Sequence, residues 1–294
     1  MKKTLLFMLA LVLALPAMAL NAGDTFMYDG LQYKVLDAEE KTCEVVAIVT
    51  PGENKTYVHE YPNMLSGELN LPAYPQDDEG TYYILTEIDE TAFWFCTKLT
   101  SVVIPETVVK IDNAAFEWCT GITSVTIGNS VTEIGNSAFS ECISLTSVTI
   151  PNSVTTIDNN AFDGCSSLAD LTIGSSVNSI GNLAFTGCSA IENIYYLPST
   201  GVAANENIFD TSVYTNASLY VNYGSDKAVR SVSPWSKFTT SITTGVESVE
   251  VSDVNAAVEV YTLGGVKVAD SVENLPAGLY IVRQGSKVTK VAVK

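Results

Sequence analysis

A chain of 294 residues with a formal charge of −18 repels phosphate backbones, which excludes nucleic acid as a partner. Hydrophobic residues make up 47% of it and charged residues only 16%, a balance that disordered chains lack. A single histidine, His59, rules out HExxH zinc sites and confines any serine–histidine–aspartate triad to that one residue.

Lys2 and Lys3 open the chain, an apolar run extends from Leu5 to Leu15, and Pro16 precedes Ala17-Met18-Ala19. A basic start, an apolar stretch too short to span ~30 Å of hydrocarbon and an A-x-A site predict a signal peptide over 1–19, cleaved after Ala19. No cysteine follows that site, so a lipid anchor is not expected, and no later segment has the length of a transmembrane span. Cleavage removes the two lysines, which takes the charge from −18 to −20. Residues 20–64 read as a β-rich amino-terminal cap. Asp29-Gly30, between Phe26-Met27-Tyr28 and Tyr33-Lys34-Val35, is a hairpin signal because both turn residues tolerate φ > 0. His59 reads as a solvated surface histidine, and Asp77-Asp78-Glu79 as a solvated loop.

A 23-residue repeat organises residues 65–238. Ile88, Ile111, Ile134, Ile157 and Ile180 recur at that spacing, as do Phe93, Phe116, Phe139, Phe162 and Phe185. Cys96, Cys119, Cys142, Cys165 and Cys188 follow the same period, as do the alanines from Ala92 to Ala184. Each unit reads I-x-x-x-A-F-x-x-C-x-x-L-x-x-V-x-I-[PG]-x-x-V-x-x. The L-x-x-V-x-I segment, as in Leu145, Val148 and Ile150, is a leucine-rich-repeat strand signature. Period-two alternation predicts Val148 and Ile150 inward and Ser147 and Thr149 outward. Pro151, or Gly128 and Gly174 in its place, ends the strand, and a helical or 3₁₀ turn is expected around A-F-x-x-C. The fold class is therefore a mainly β solenoid with a parallel sheet, stabilised by stacking of coils.

Cysteines at one point of every coil have parallel side chains, which suits a disulfide poorly, so buried free thiols are expected. Asp112-Asn113, Gly135-Asn136, Asp158-Asn159 and Gly181-Asn182 share a corner and read as turn chemistry. A calcium ladder is the alternative there, weakened because only alternate units carry an acid. The outward strand positions Ser101, Val103, Ser124, Thr126, Ser147, Thr149, Thr172, Asn193 and Tyr195 are candidate ligand contacts, with Tyr195 and Tyr196 as aromatic anchors. The same threonines and serines also suit a solvent-facing strand with no ligand. No catalytic, metal or cofactor set stands out among the 33 acids.

The unit I-x-x-x-A-F-x-x-C-x-x-L-T-S-V-x-I-P resembles the BspA-like leucine-rich repeats of bacterial surface proteins. Gly23-Asp24-Thr25-Phe26, Asp29-Gly30-Leu31-Gln32-Tyr33 and Thr81–Ile88 are similar to that family's amino-terminal segment. The resemblance implies an extracellular or outer-surface location, an extracellular protein or glycan as partner, a role as an adhesin, and no catalytic residues. A structural, self-assembling surface component is the alternative.

After Tyr196 the array degenerates. Phe209 lies 24 residues past Phe185, Ser212 takes the cysteine place, and Leu219-Tyr220-Val221 reads as the last strand. Ser225-Asp226 should cap a short helix reaching Ser231, and Pro234-Trp235 and Phe238 should cover the open end. Residues 239–248 are polar and rich in threonine and serine, which predicts a linker. Alternating strands in 249–294 then predict a small antiparallel β domain. It resembles the sorting domain of the type IX secretion system, which implies the secretion machinery as a second partner.

Overall fold

The computed structural model describes residues 19–47, 49–51, 57–59, 64–222, 224–244, 258–262, 267–269, 278–284 and 287–293. The signal-peptide expectation, apart from Ala19, lies outside them, as does 245–248 of the expected linker. Among the described residues no helix is long and apolar enough to cross a membrane.

The chain is a β solenoid whose coils each add one strand to two sheets. The face sheet runs Gly67–Asn70, Leu99–Val103, Ser124–Thr126, Ser147–Thr149, Asp170–Ile173, Asn193–Tyr196, Ser218–Asn222 and Thr240–Thr244, all in parallel. Within the repeats its register equals the sequence period, so Ser101 pairs with Ser124 and Ser124 with Ser147. A back sheet, which the sequence pattern does not announce, is built from Ile84–Ile88, Lys110–Ile111, Glu133–Ile134, Thr156–Ile157 and Ser179–Ile180. The amino-terminal meander Thr25–Tyr28, Leu31–Asp37, Thr42–Val46 closes that sheet's first edge, turning at Asp29 (φ 47°) and Gly30 (φ 76°) as expected.

The repeat's apolar positions fill the space between the sheets. Phe93, Phe116, Phe139, Phe162, Phe185 and Phe209 stack through the coils with successive ring centroids 5.0 to 5.4 Å apart. All six cysteines are buried and free. The thiols of Cys119, Cys142, Cys165 and Cys188 donate to the carbonyls of Phe93, Phe116, Phe139 and Phe162, one coil back, at 3.1 to 3.3 Å.

The A-F-x-x-C corner holds no continuous helix but successive turns of the expected 3₁₀ type, in which Glu117 N donates to Ala114 O and Cys119 N to Phe116 O. The alternate amides bond along the solenoid axis: Ala114 N donates to Asn136 O, Phe116 N to Ala138 O and Trp118 N to Ser140 O. With every second amide committed to the next coil no helix propagates, and two residues per corner turn left-handed. Gly128 and Gly174 end strands for a reason of space. A Cβ on either would lie 2.4 or 2.1 Å from the Pro105 or Pro151 carbonyl oxygen below.

At the carboxy end Phe209 keeps the stack although a residue has been inserted, and Ser212 lies in a helix, Thr211–Asn216. The helix Asp226–Arg230 forms without a side-chain cap from Ser225. Trp235 and Phe238, both buried, pack on Tyr196, Phe209 and Tyr214 and close the core. Thr240–Thr244 corrects the expected linker, since it is the last strand of the face sheet and pairs with Ser218–Asn222. Three of its five residues are threonine, a β-branched residue at ease in a strand. The carboxy-terminal strands Val258–Thr262, Lys267–Ala269, Gly278–Gln284 and Lys287–Val293 form a separate antiparallel sheet.

Candidate ligand-binding face

The parallel register brings every predicted contact residue onto one sheet, in two columns with ~4.8 Å between steps. One column is Ser101, Ser124, Ser147, Asp170, Asn193 and Ser218, and the other Val103, Thr126, Thr149, Thr172, Tyr195 and Tyr220. Ser124, Thr126, Ser147, Thr149 and Asp170 are exposed, whereas Ser101, Val103, Thr172, Asn193 and Tyr195 are half-buried. A third column is already engaged. The hydroxyls of Thr123 and Thr146 donate to the carbonyls of Thr100 and Thr123.

The strip changes character at its carboxy end. Asn193 Nδ2 donates to Asp170 Oδ1 at 2.8 Å. The rings of Tyr195 and Tyr220 stack with centroids 4.8 Å apart and 18° between planes. Burial, the neighbouring Tyr220 and then Asp170 hold the Tyr195 phenol above its ordinary range, so it is neutral and able to donate. Because Tyr220 covers one face of Tyr195, the opposite face points along the column toward Thr172.

Tyr196 is not an anchor. One residue on from Tyr195, it points into the core, where its hydroxyl donates to Thr200 O and accepts from Val202 N. Tyr220 instead stands beside Tyr195 on the face, and sequence reasoning missed it because 25 residues, not 23, separate the two.

Asp77 also differs from expectation. It is buried, and its Oδ1 accepts the amides of Glu79 and Thr81, so it builds the loop. At the repeat corner Asn113 Oδ1 accepts Asn136 N, and Asn159 Oδ1 accepts Asn182 N. Asn205, 23 residues past Asn182, donates to the Asn182 side chain and extends this ladder into the degenerate coil. The acids beside it are spent locally, since Asp112 and Asp158 each accept the following amide and Asp112 also pairs with Lys110. Among the described residues no group of three or more histidine, cysteine, aspartate or glutamate side chains could hold a metal ion.

Residues 86–216 match six copies of a BspA type leucine rich repeat region. Among solved structures, a leucine-rich repeat protein from Bacteroides ovatus is similar, with 26% identity and a TM-score of 0.52 over 67% of this chain. The match covers 49% of that protein, so the chain spans about half its length. A leucine rich repeat protein of T. pallidum matches 65% of the chain and 83% of its own, at 22% identity and a TM-score of 0.47. A leucine rich cell surface protein from Faecalibacterium prausnitzii matches 76% of the chain and 74% of its own, at 21% identity and a TM-score of 0.39. No curated protein matches the chain.

Proposed function

We propose that the protein is exported by a cleaved signal peptide and acts at the outer cell surface as an adhesin, holding an extracellular protein or glycan on its face sheet. One observation carries this reading: a strip of hydroxyl groups in fixed register leads to the half-buried, stacked rings of Tyr195 and Tyr220 beside the Asp170–Asn193 pair. Rigid aromatic area next to preset donors and acceptors loses little entropy on binding and is typical of contacts that dominate affinity. BspA type repeats in residues 86–216 support a binding role over catalysis. The carboxy-terminal sheet, in this reading, engages the secretion machinery and takes no part in ligand binding.

An array of glycans and matrix proteins probed with the full chain identifies the ligand. Tyr195→Ala should then weaken binding by more than roughly tenfold with unchanged far-ultraviolet circular dichroism. Unaltered affinity in that variant places the ligand elsewhere.

A second reading, self-assembly, rests on the two edges of the face sheet, Gly67–Asn70 and Thr240–Thr244, which run in the same direction and could join head to tail. Sedimentation that rises with protein concentration would favour it.

A further inference from the structure

One place in each A-F-x-x-C corner has φ near +60°. It is filled in successive coils by Phe95 (φ 61°), Trp118 (φ 61°), Glu141 (φ 59°), Gly164 (φ 74°) and Gly187 (φ 74°). Glycine adopts this backbone without strain, and the fourth and fifth coils show that it fits the corner. A bulky ring there is a rare choice, because left-handed backbone brings its Cβ close to a carbonyl oxygen. Burial compensates only in part, since Phe95 is 44% and Trp118 41% exposed. Two adjacent coils thus combine backbone strain with aromatic surface left open to solvent, and folding rewards neither the strain nor the open part.

The surroundings indicate what such rings hold. Trp94 lies against Phe95, with ring centroids 5.4 Å apart, and its indole N–H donates to Glu117 on the next coil. Burial holds the Glu117 carboxyl above its ordinary range; the Trp94 hydrogen bond opposes this, and the Glu141 carboxylate adds to it. Glu141 occupies the Trp118 place one coil further on, so acid and ring share one edge of the solenoid. The ion pairs among the described residues, Lys34–Glu44, Lys110–Asp112 and Lys237–Glu206, use neither Glu117 nor Glu141. Ring faces and two uncompensated carboxylates, on a chain of charge −18, are complementary to a cation. A guanidinium fits best, because it stacks on a ring and hydrogen-bonds a carboxylate at the same time. A neutral sugar can donate its hydroxyls to the carboxylates but leaves their charge unbalanced, and an anionic one is repelled.

We propose that Trp94, Phe95, Glu117, Trp118 and Glu141 form a second binding site, distinct from the face sheet, that takes an arginine or lysine side chain of a partner polypeptide. The rings cover the cation and the carboxylates close its charge.

The test titrates a fluorescein-labelled peptide of alternating arginine and glycine against the full chain at ~0.15 M salt, where exposed charges are screened beyond about 8 Å. Phe95→Gly and Trp118→Gly alter no charge, so they separate ring contacts from general attraction to an acidic protein. Each should weaken binding at least about threefold, and the pair about tenfold. Neither should lower the melting temperature, because glycine relieves the positive φ. Glu117→Gln should weaken binding more than Glu68→Gln, an acid placed on the face sheet. Equal affinity of the parent and the double-glycine variant would mean that charge alone binds, and the site falls. A lower melting temperature in either glycine variant would mean that the rings pack the fold, which also overturns it. Ring-dependent retention of neutral oligosaccharides in preference to the peptide refutes the cationic partner.

Discussion

At the scale of single residues, each cysteine from the second coil onward sits where its thiol reaches the phenylalanine carbonyl one coil back. Burial pushes the Cys43 thiol up to about 12 and raises Cys119 and Cys142 well above the usual range, while a hydrogen bond that the Cys188 thiol donates to Cys165, and then burial, raise Cys188. A folded-state value above the unfolded one means that the folded chain binds more protons in alkaline solution. The stabilisation is therefore complete below about 9 and is lost as pH climbs from there toward 12. Ellman's reagent should find almost no reactive thiol in the native protein at pH 8, and all six after unfolding without reductant. Fewer than six in the unfolded chain reveals a disulfide. The period of 23 made these positions readable, because five identical residues at one point of a coil have parallel side chains. Tyr196 was misread for the opposite reason. Beyond the last regular repeat only strand alternation separates an inward from an outward tyrosine, and Tyr195 and Tyr196 are adjacent.

At the scale of the coil, stability comes from contacts between neighbours, and Phe139 lies in the middle of the stack between Phe116 and Phe162, 5.2 Å from each. Phe139→Ala should cost about 3–5 kcal/mol, through lost transfer energy plus a cavity that rigid coils above and below cannot close. Thr149→Ala, on the exposed face of the next strand, should change stability by less than about 0.5 kcal/mol. Chemical denaturation of both variants checks this, and equal midpoints would contradict the register. The face strands were legible because V-x-I spans three residues of clean alternation. The back sheet was not, since Lys110–Ile111 and its equivalents are two residues long and expose only one recurring apolar position each. The left-handed corner was legible only in part, because Gly164 and Gly187 mark it while Phe95, Trp118 and Glu141 stand there in the first three coils.

At the scale of the molecule, an array of coils has two open ends, and covering them determines where the chain can be cut. The amino-terminal meander pairs with Ile84–Ile88 at one end, and Trp235, Phe238 and Thr240–Thr244 finish the other. Composition placed a linker from residue 239, since threonine and serine are as common in loops as on solvent-facing strands. Pairing decides the matter, because Thr240–Thr244 matches Ser218–Asn222 residue for residue. Side chains reinforce it: Thr244 Oγ1 donates to Val221 O at 3.1 Å, and Ser241 Oγ to Asp226 at 2.7 Å. Removing residues 249–294 should therefore leave the melting temperature of the solenoid and its affinity for ligand unchanged. Cutting after Phe238 strips the ladder and these bonds from Ser218–Asn222, and should lower the melting temperature by more than about 4 °C. Calorimetry on the two truncations separates the cases. If both melt alike, the last strand adds nothing to the solenoid. If the chain cut after Phe238 alone is destabilised and both keep the ligand, the solenoid ends at Thr244 and binding resides within it.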